Sequence, residues 1–301
     1  MRLLLIGNEG GTNIGPSLRH AAEWLGHEVR YHDMADAFAG PRWLRRASWH
    51  LLGRRPPRLR EFSRAVAHTA RAFQPHVLLA TGTAPLTRAA LQQIRSLGTS
   101  TMNYLTDDPW NPAFRGTWLL DAMSAYDQVF SPRRSNLGDL EKLRGGATHY
   151  LPFGYDPDLF YPAPTTNVTY DIIFAAAADR DRIPFLHALI QRGLRVGLFG
   201  VYWDRFPETR GCAGDWLEPA RLRTAVAAAR LALCLVRRAN RDGHVMRTYE
   251  LAAMRACIVA EDTSEQRAIL GDTARYFKDP DELVKEVENL LAQSERCRAL
   301  A

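Results

Sequence analysis

The chain has 301 residues, 46% hydrophobic and 24% charged, proportions of an ordinary globular protein long enough for two cored domains. Its apolar runs, such as residues 172–178 and 231–236, fall well short of the roughly 20 residues that cross a bilayer, and Leu3–Ile6 is too short for a signal peptide. These features exclude a transmembrane protein and predict a cytoplasmic one. The net charge is +6, and only three of the 39 basic residues are lysines (Lys142, Lys278, Lys285); the rest are arginines, suited to fork-like binding of phosphate and carboxylate.

In chain order, Leu3–Ile6 predicts a strand, residues 7–12 a turn-rich loop, and Pro16 and Ser17 the start of a helix with Leu18, Ala21, Ala22 and Leu25 on one face. Gly26 ends that helix, and Val29 and Tyr31 begin the next strand. Residues 41–60 follow, with seven arginines, Trp43, Trp49 and no acid. Strands at 76–80 and 101–105 flank a helix over 85–97, and short strands are predicted at 128–130 and 148–151. Four prolines between Pro152 and Pro164 then predict a stiff connector. A second series has strands at 171–175, 196–199, 231–236, 258–260 and 275–277, a helix over 183–191 and an amphipathic tail from Asp281. Alternating strands and helices predict two doubly wound, Rossmann-like α/β domains facing across a cleft: residues 1–155, a connector over 156–169, and residues 170–301.

Three segments invite a functional reading. Gly10, Gly11 and Thr12 follow strand one, where a backbone can approach a phosphate, although neither the dinucleotide fingerprint nor a P-loop is present; a plain turn reads equally there. Asp107 and Asp108 follow the strand ending at Leu105, and can ligate a metal, act as a base, bind sugar hydroxyls, or simply form an Asx turn before Pro109. Asp242 and Gly243 predict a loop and His244 to Arg255 a helix, with Arg247 and Glu250 on one face as an anion and diol site or as a surface pair. Cys212, Cys234, Cys257 and Cys297 lie far apart with no Cys-x-x-Cys, so no metal site or disulfide framework is expected.

The order of several motifs resembles the GT-B glycosyltransferases, and within them the CgeB-like (spore maturation protein-like) branch of the group 1 enzymes. They are Gly26–Val29, Tyr104–Pro109, Leu151–Pro162, Arg182, Leu198–Trp203, Arg247–Glu250 and Tyr276–Leu283. The resemblance implies transfer of a hexose-like sugar from a nucleotide-sugar co-substrate to an acceptor, with no cofactor, no metal and retention of configuration. The C-terminal half would bind donor and the N-terminal half acceptor. It places Glu250 on the ribose, and Asp242 at the first acid of a Glu-x7-Glu pair, here a shorter side chain. It gives Arg182 and Arg247 to the diphosphate, with Gly10, Gly11 and Thr12 opposite, His244 and Thr248 beside the donor, and Asp242, Arg247, Asp107 and Asp108 to catalysis. The family's Gly-x-Pro after that helix is Arg255-Ala256-Cys257 here, so the helix must end differently. Other readings are a sugar-nucleotide epimerase on the same fold, or a binding protein that has lost catalysis. No nucleic-acid motif occurs, and residues 41–60 suit either an anionic membrane surface, with the protein peripheral to it, or a solvated face packed on its domain.

Overall fold

The computed structural model describes residues 1–10, 13–113, 115–164 and 167–301. The chain forms two compact units, one of Met1–Pro152 with Ala239–Arg241 and one of Phe153–Arg238 with Asp242–Ala301. The division after Pro152 comes three residues before the boundary expected from sequence.

The first unit runs β1 (Arg2–Gly7), α1 (Ile14–Trp24), β2 (Glu28–Asp33), α2 (Arg42–Leu51), α3 (Leu59–Phe73), β3 (Val77–Thr81), α4 (Arg88–Arg95), β4 (Ser100–Tyr104), α5 (Thr117–Met123), β5 (Gln128–Ser131), α6 (Leu137–Arg144) and β6 (Thr148–Tyr150). Its strands form one parallel sheet in the order β2-β1-β3-β4-β5-β6. Leu4, Leu5 and Ile6 are fully buried, as a central strand covered on both faces requires. The arginine-rich residues 41–60 hold α2 and the start of α3.

The second unit runs β7 (Tyr170–Ala175), α7 (Ile183–Gln191), β8 (Val196–Phe199), β9 (Ala213–Gly214), α8 (Pro219–Ala227), β10 (Ala229–Cys234), α9 (Met246–Ala253), β11 (Ile258–Glu261), α10 (Ser264–Leu270), β12 (Ala274–Phe277), α11 (Pro280–Leu291) and α12 (Ser294–Leu300). Its parallel order is β12-β11-β10-β7-β8-β9. Side chains alternate between two cores, as period-two strands dictate. Ile172, Phe174, Leu231, Leu233 and Val259 face one, and Ile173, Ala232, Cys234, Ile258 and Ala260 the other.

The proline-rich stretch packs on this unit instead of standing apart. Phe160 joins the second core, and Arg223 holds the stretch by donating to the Leu159 carbonyl at 2.6 Å and to the Tyr161 hydroxyl at 2.9 Å. Helix α9 is shorter than the predicted 244–255: His244 lies in the preceding loop and Val245 is the N-cap. Its C-terminus is a Schellman turn, with Arg255 N–H on Ala252 O at 3.0 Å and Ala256 N–H on Leu251 O at 3.1 Å. Arg255 takes the left-handed position (φ 55°) that glycine usually fills.

Candidate functional site

In each sheet the chain leaves one strand toward both edges, which opens a crevice at the strand carboxyl ends where ligands of doubly wound sheets bind. In the second unit that point lies between β7 and β10. The loop after β7 continues the pairing with β8: Ala176 N–H bonds Phe199 O and Ala178 N–H bonds Val201 O, both at 2.9 Å. Gly200, at φ 139°, allows this, because a Cβ there would collide with the Ala176 carbonyl.

Two arginines grip this loop. Arg247, in the first turn of α9, donates through Nε to the Ala175 carbonyl at 3.2 Å. Arg182 donates through Nη1 to the Ala177 carbonyl at 2.9 Å, and its guanidinium lies 5.4 Å over the Phe174 ring. The Arg182 side chain is buried and its Nε–H has no hydrogen-bond partner among the described residues. Burial first, then repulsion from Arg237, lowers the Arg182 pKa, with Asp179 and Asp242 opposing.

Glu250 lies one turn from Arg247, paired with it at 2.5 Å, and is almost wholly buried. Burial raises its pKa despite the neighbouring arginine. The structure thus brings Arg182, Arg247 and Glu250 to one sheet edge. It adds residues the sequence reading did not single out. Arg237 lies 3.8 Å from Asp179, and Arg238 pairs at 2.5 Å with Glu261, which also accepts from Val236 N–H at 3.1 Å. The available signal was an Arg-Arg pair directly after the apolar run 231–236.

Other expected residues have structural partners. His244 is buried; its Nε2 accepts from Phe153 N–H at 3.4 Å, which leaves Nδ1 to donate to Glu265 at 2.6 Å. Gly243 leaves the space that the Glu265 carboxyl occupies, so the loop carrying Asp242 is clamped by α10. Thr248 is fully buried, with its hydroxyl among Val245 N–H, Gln266 and Cys234. Burial pushes the Cys234 thiol up to about 11, and all four cysteines are free.

In the first unit Asp108 is buried in a fork with Arg241, whose Nε and Nη2 lie 2.5 and 3.0 Å from its oxygens. Asp107 accepts from Asn240 Nδ2 at 3.1 Å. Both partners come from the short Ala239–Arg241 segment that packs with this unit. Among the described residues no group of three or more His, Cys, Asp or Glu is placed to hold a metal ion. Gly10 is exposed at φ 81°, and Gly11 and Thr12 lie outside the described residues. Beside that loop the Tyr31 hydroxyl fills a notch left by Gly7 and Gly15, and burial with nearby Asp33 and Glu9 pushes its pKa up to about 12.

Residues 180–301 match a family model described as glycosyl transferase-like. No curated protein matches the chain. Among solved structures, sucrose-phosphate synthase from Thermosynechococcus elongatus is 14% identical at TM-score 0.68, with 100% of this chain and 92% of that one covered. A trehalose-6-phosphate protein from E. coli bound with UDP-2-fluoro glucose is 10% identical at TM-score 0.65, covering 100% and 93%. A UDP-GlcNAc 2-epimerase from Neisseria meningitidis bound to UDP-GlcNAc is 11% identical at TM-score 0.58, covering 100% and 94%. At these identities the likeness is one of fold: two Rossmann-like α/β domains of the GT-B type.

Proposed function

We propose that the protein is a glycosyltransferase that takes a sugar from a nucleotide-sugar donor held by the second unit. The observation that carries this reading is the pair Arg182 and Arg247 at the β7/β10 crevice, with a buried, unpartnered Arg182 N–H and a buried carboxylate one helical turn away. Arginines there suit a diphosphate, and Glu250 suits a ribose diol. The family match over residues 180–301 supports the same half as the donor side. In the reaction, the bond from the anomeric carbon to the diphosphate breaks and its electron pair stays on the diphosphate. The acceptor oxygen forms the new bond and gives up its proton, which the departing diphosphate oxygen accepts. Arg182 and Arg247 lower the barrier by stabilising the charge that grows on the leaving group. Transfer with retention needs no enzymic base beneath the anomeric carbon, and the loop carrying Asp242 holds the sugar. The reading needs no metal, in keeping with the hydrogen bonds that already hold Asp107 and Asp108 to Asn240 and Arg241.

Calorimetry with UDP and other nucleoside diphosphates in the presence of EDTA tests this. Arg182→Met keeps the buried volume and removes the charge, so it should weaken binding by roughly tenfold or more, since a hydrogen bond to a charged group contributes about 1.5–3 kcal/mol. Unchanged affinity in that variant would remove Arg182 from the site; binding that requires added Mg²⁺ would overturn metal independence. The epimerase likeness in fold supports a second reading. Product analysis separates the two, because a transferase releases nucleoside diphosphate only as sugar leaves the donor, whereas an epimerase leaves the nucleotide sugar intact.

A further inference from the structure

Helix α2 leaves large apolar side chains exposed near both of its ends. Trp43 and Leu51 are eight residues apart, about 12 Å along the axis and roughly 80° apart around it, and are 70% and 79% exposed. Leu52 follows at 60% and Trp49 at 42%. The helix already has a packed side, because Ser48 is buried and Leu44 and Ala47 are half-buried. The expectation of a solvated face with its apolar side packed on the domain therefore accounts for Leu44 but not for Trp43, Trp49, Leu51 and Leu52. The helix and the turn after it are also firmly mounted. Arg54 donates to the Arg115 carbonyl at 3.1 Å, the Gly53 carbonyl fits against Gly116, and Arg58 N–H bonds Ala37 O at 3.0 Å.

Charge decides what covers it. Arg42, Arg45 and Arg46 are exposed on the same helix, and residues 41–60 contain no acid. Arg55 and Arg60 line, with Arg64, Arg88 and Trp118, a cavity of about 640 Å³ whose acid, Asp121, is paired with Arg88. A second copy of this chain docked symmetrically would set this arginine surface against itself. A nucleic acid would satisfy the arginines but has no use for exposed leucines. An anionic bilayer meets both demands, since tryptophan and leucine enter the headgroup boundary while arginines bind lipid phosphates.

We infer that α2 and the arginine-lined cavity beside it form a docking surface for an anionic membrane, seated by Trp43, Leu51 and Leu52 and selected by the flanking arginines. This contact is independent of the donor reading. Full-length protein should co-sediment with vesicles of phosphatidylcholine containing about 30% phosphatidylglycerol, and much less with phosphatidylcholine alone, because anionic lipid supplies the surface potential. Binding should fall several-fold between about 0.05 and 0.5 M salt. The variant Trp43→Ser/Leu51→Ser/Leu52→Ser and the variant Arg42→Ser/Arg45→Ser/Arg46→Ser should each reduce binding at least tenfold. All six residues are exposed, so circular dichroism and thermal midpoint should match the parent. Four outcomes would overturn the inference: no sedimentation at low salt; equal binding to neutral vesicles; an apolar variant that binds as well as the parent, which leaves only adsorption to any polyanion such as RNA; or a concentration-dependent dimer that the apolar variant abolishes in a protein that ignores vesicles.

Discussion

Glu250 meets two opposed demands. Burial raises its pKa above the ordinary 4.5, so the ionised form costs folding stability, and that cost grows as pH rises from 4.5 through the raised value. A ribose diol donating to the carboxylate favours the same ionised form, so nucleotide binding should strengthen over the interval in which stability declines. Glu250→Gln keeps the shape and removes the titration. Thermal midpoints measured against pH should show the variant gaining on the parent as pH rises. Calorimetry of UDP should show binding roughly tenfold weaker at neutral pH and its rise with pH lost, as expected for a charged hydrogen bond of about 1.5–3 kcal/mol. Parallel pH profiles in parent and variant would remove Glu250 from the donor site. Glu250 was legible in the sequence as a candidate because an Arg-x-x-Glu turn is a local pattern, whereas Arg182 was singled out only through the resemblance in motif order. His244 was not legible as a structural residue, because its partners Phe153 and Glu265 are distant in sequence.

The loop between β7 and α7 shows how an element positions the site. It is an extension of the β7/β8 ladder that only Gly200 permits, and its carbonyls at 175 and 177 orient Arg247 and Arg182. Gly200→Ala places a methyl against the Ala176 carbonyl in a backbone region L-residues avoid, at a cost of about 1–3 kcal/mol. The expected result is a lower thermal midpoint together with weaker nucleoside diphosphate binding, because the displaced loop carries both arginine contacts. A drop in stability alone would mean that the loop does not orient the site. The strands and most helices were readable from period-two and period-3.6 patterns. Helix α2 escaped because its exposed tryptophans and leucines mix with arginines and blur the apolar stripe on which such a reading depends.

Each unit of the molecule has its own sheet and core, and Arg182, Arg247 and Glu250, the residues proposed to hold the donor, belong to the second. Hydrogen exchange with and without UDP should therefore show new protection centred on residues 175–182 and 236–250. Protection centred instead on the carboxyl end of β1 would move the donor to the first unit. The sequence by itself determined the class of fold, the number of domains and the order of nearly every strand, because alternating apolar runs and turn residues are local and each must bury its own face. It also determined which half carries the Arg-x-x-Glu turn. Tertiary structure alone decided that the segment Ala239–Arg241 packs with the first unit and pairs Arg241 with Asp108. It alone decided that Arg182 is buried beside Arg247 with an N–H that has no partner among the described residues, and that Trp43, Trp49 and Leu51 of α2 are exposed. Burial and pairing are properties of residues brought together from far along the chain, and no local spacing encodes them.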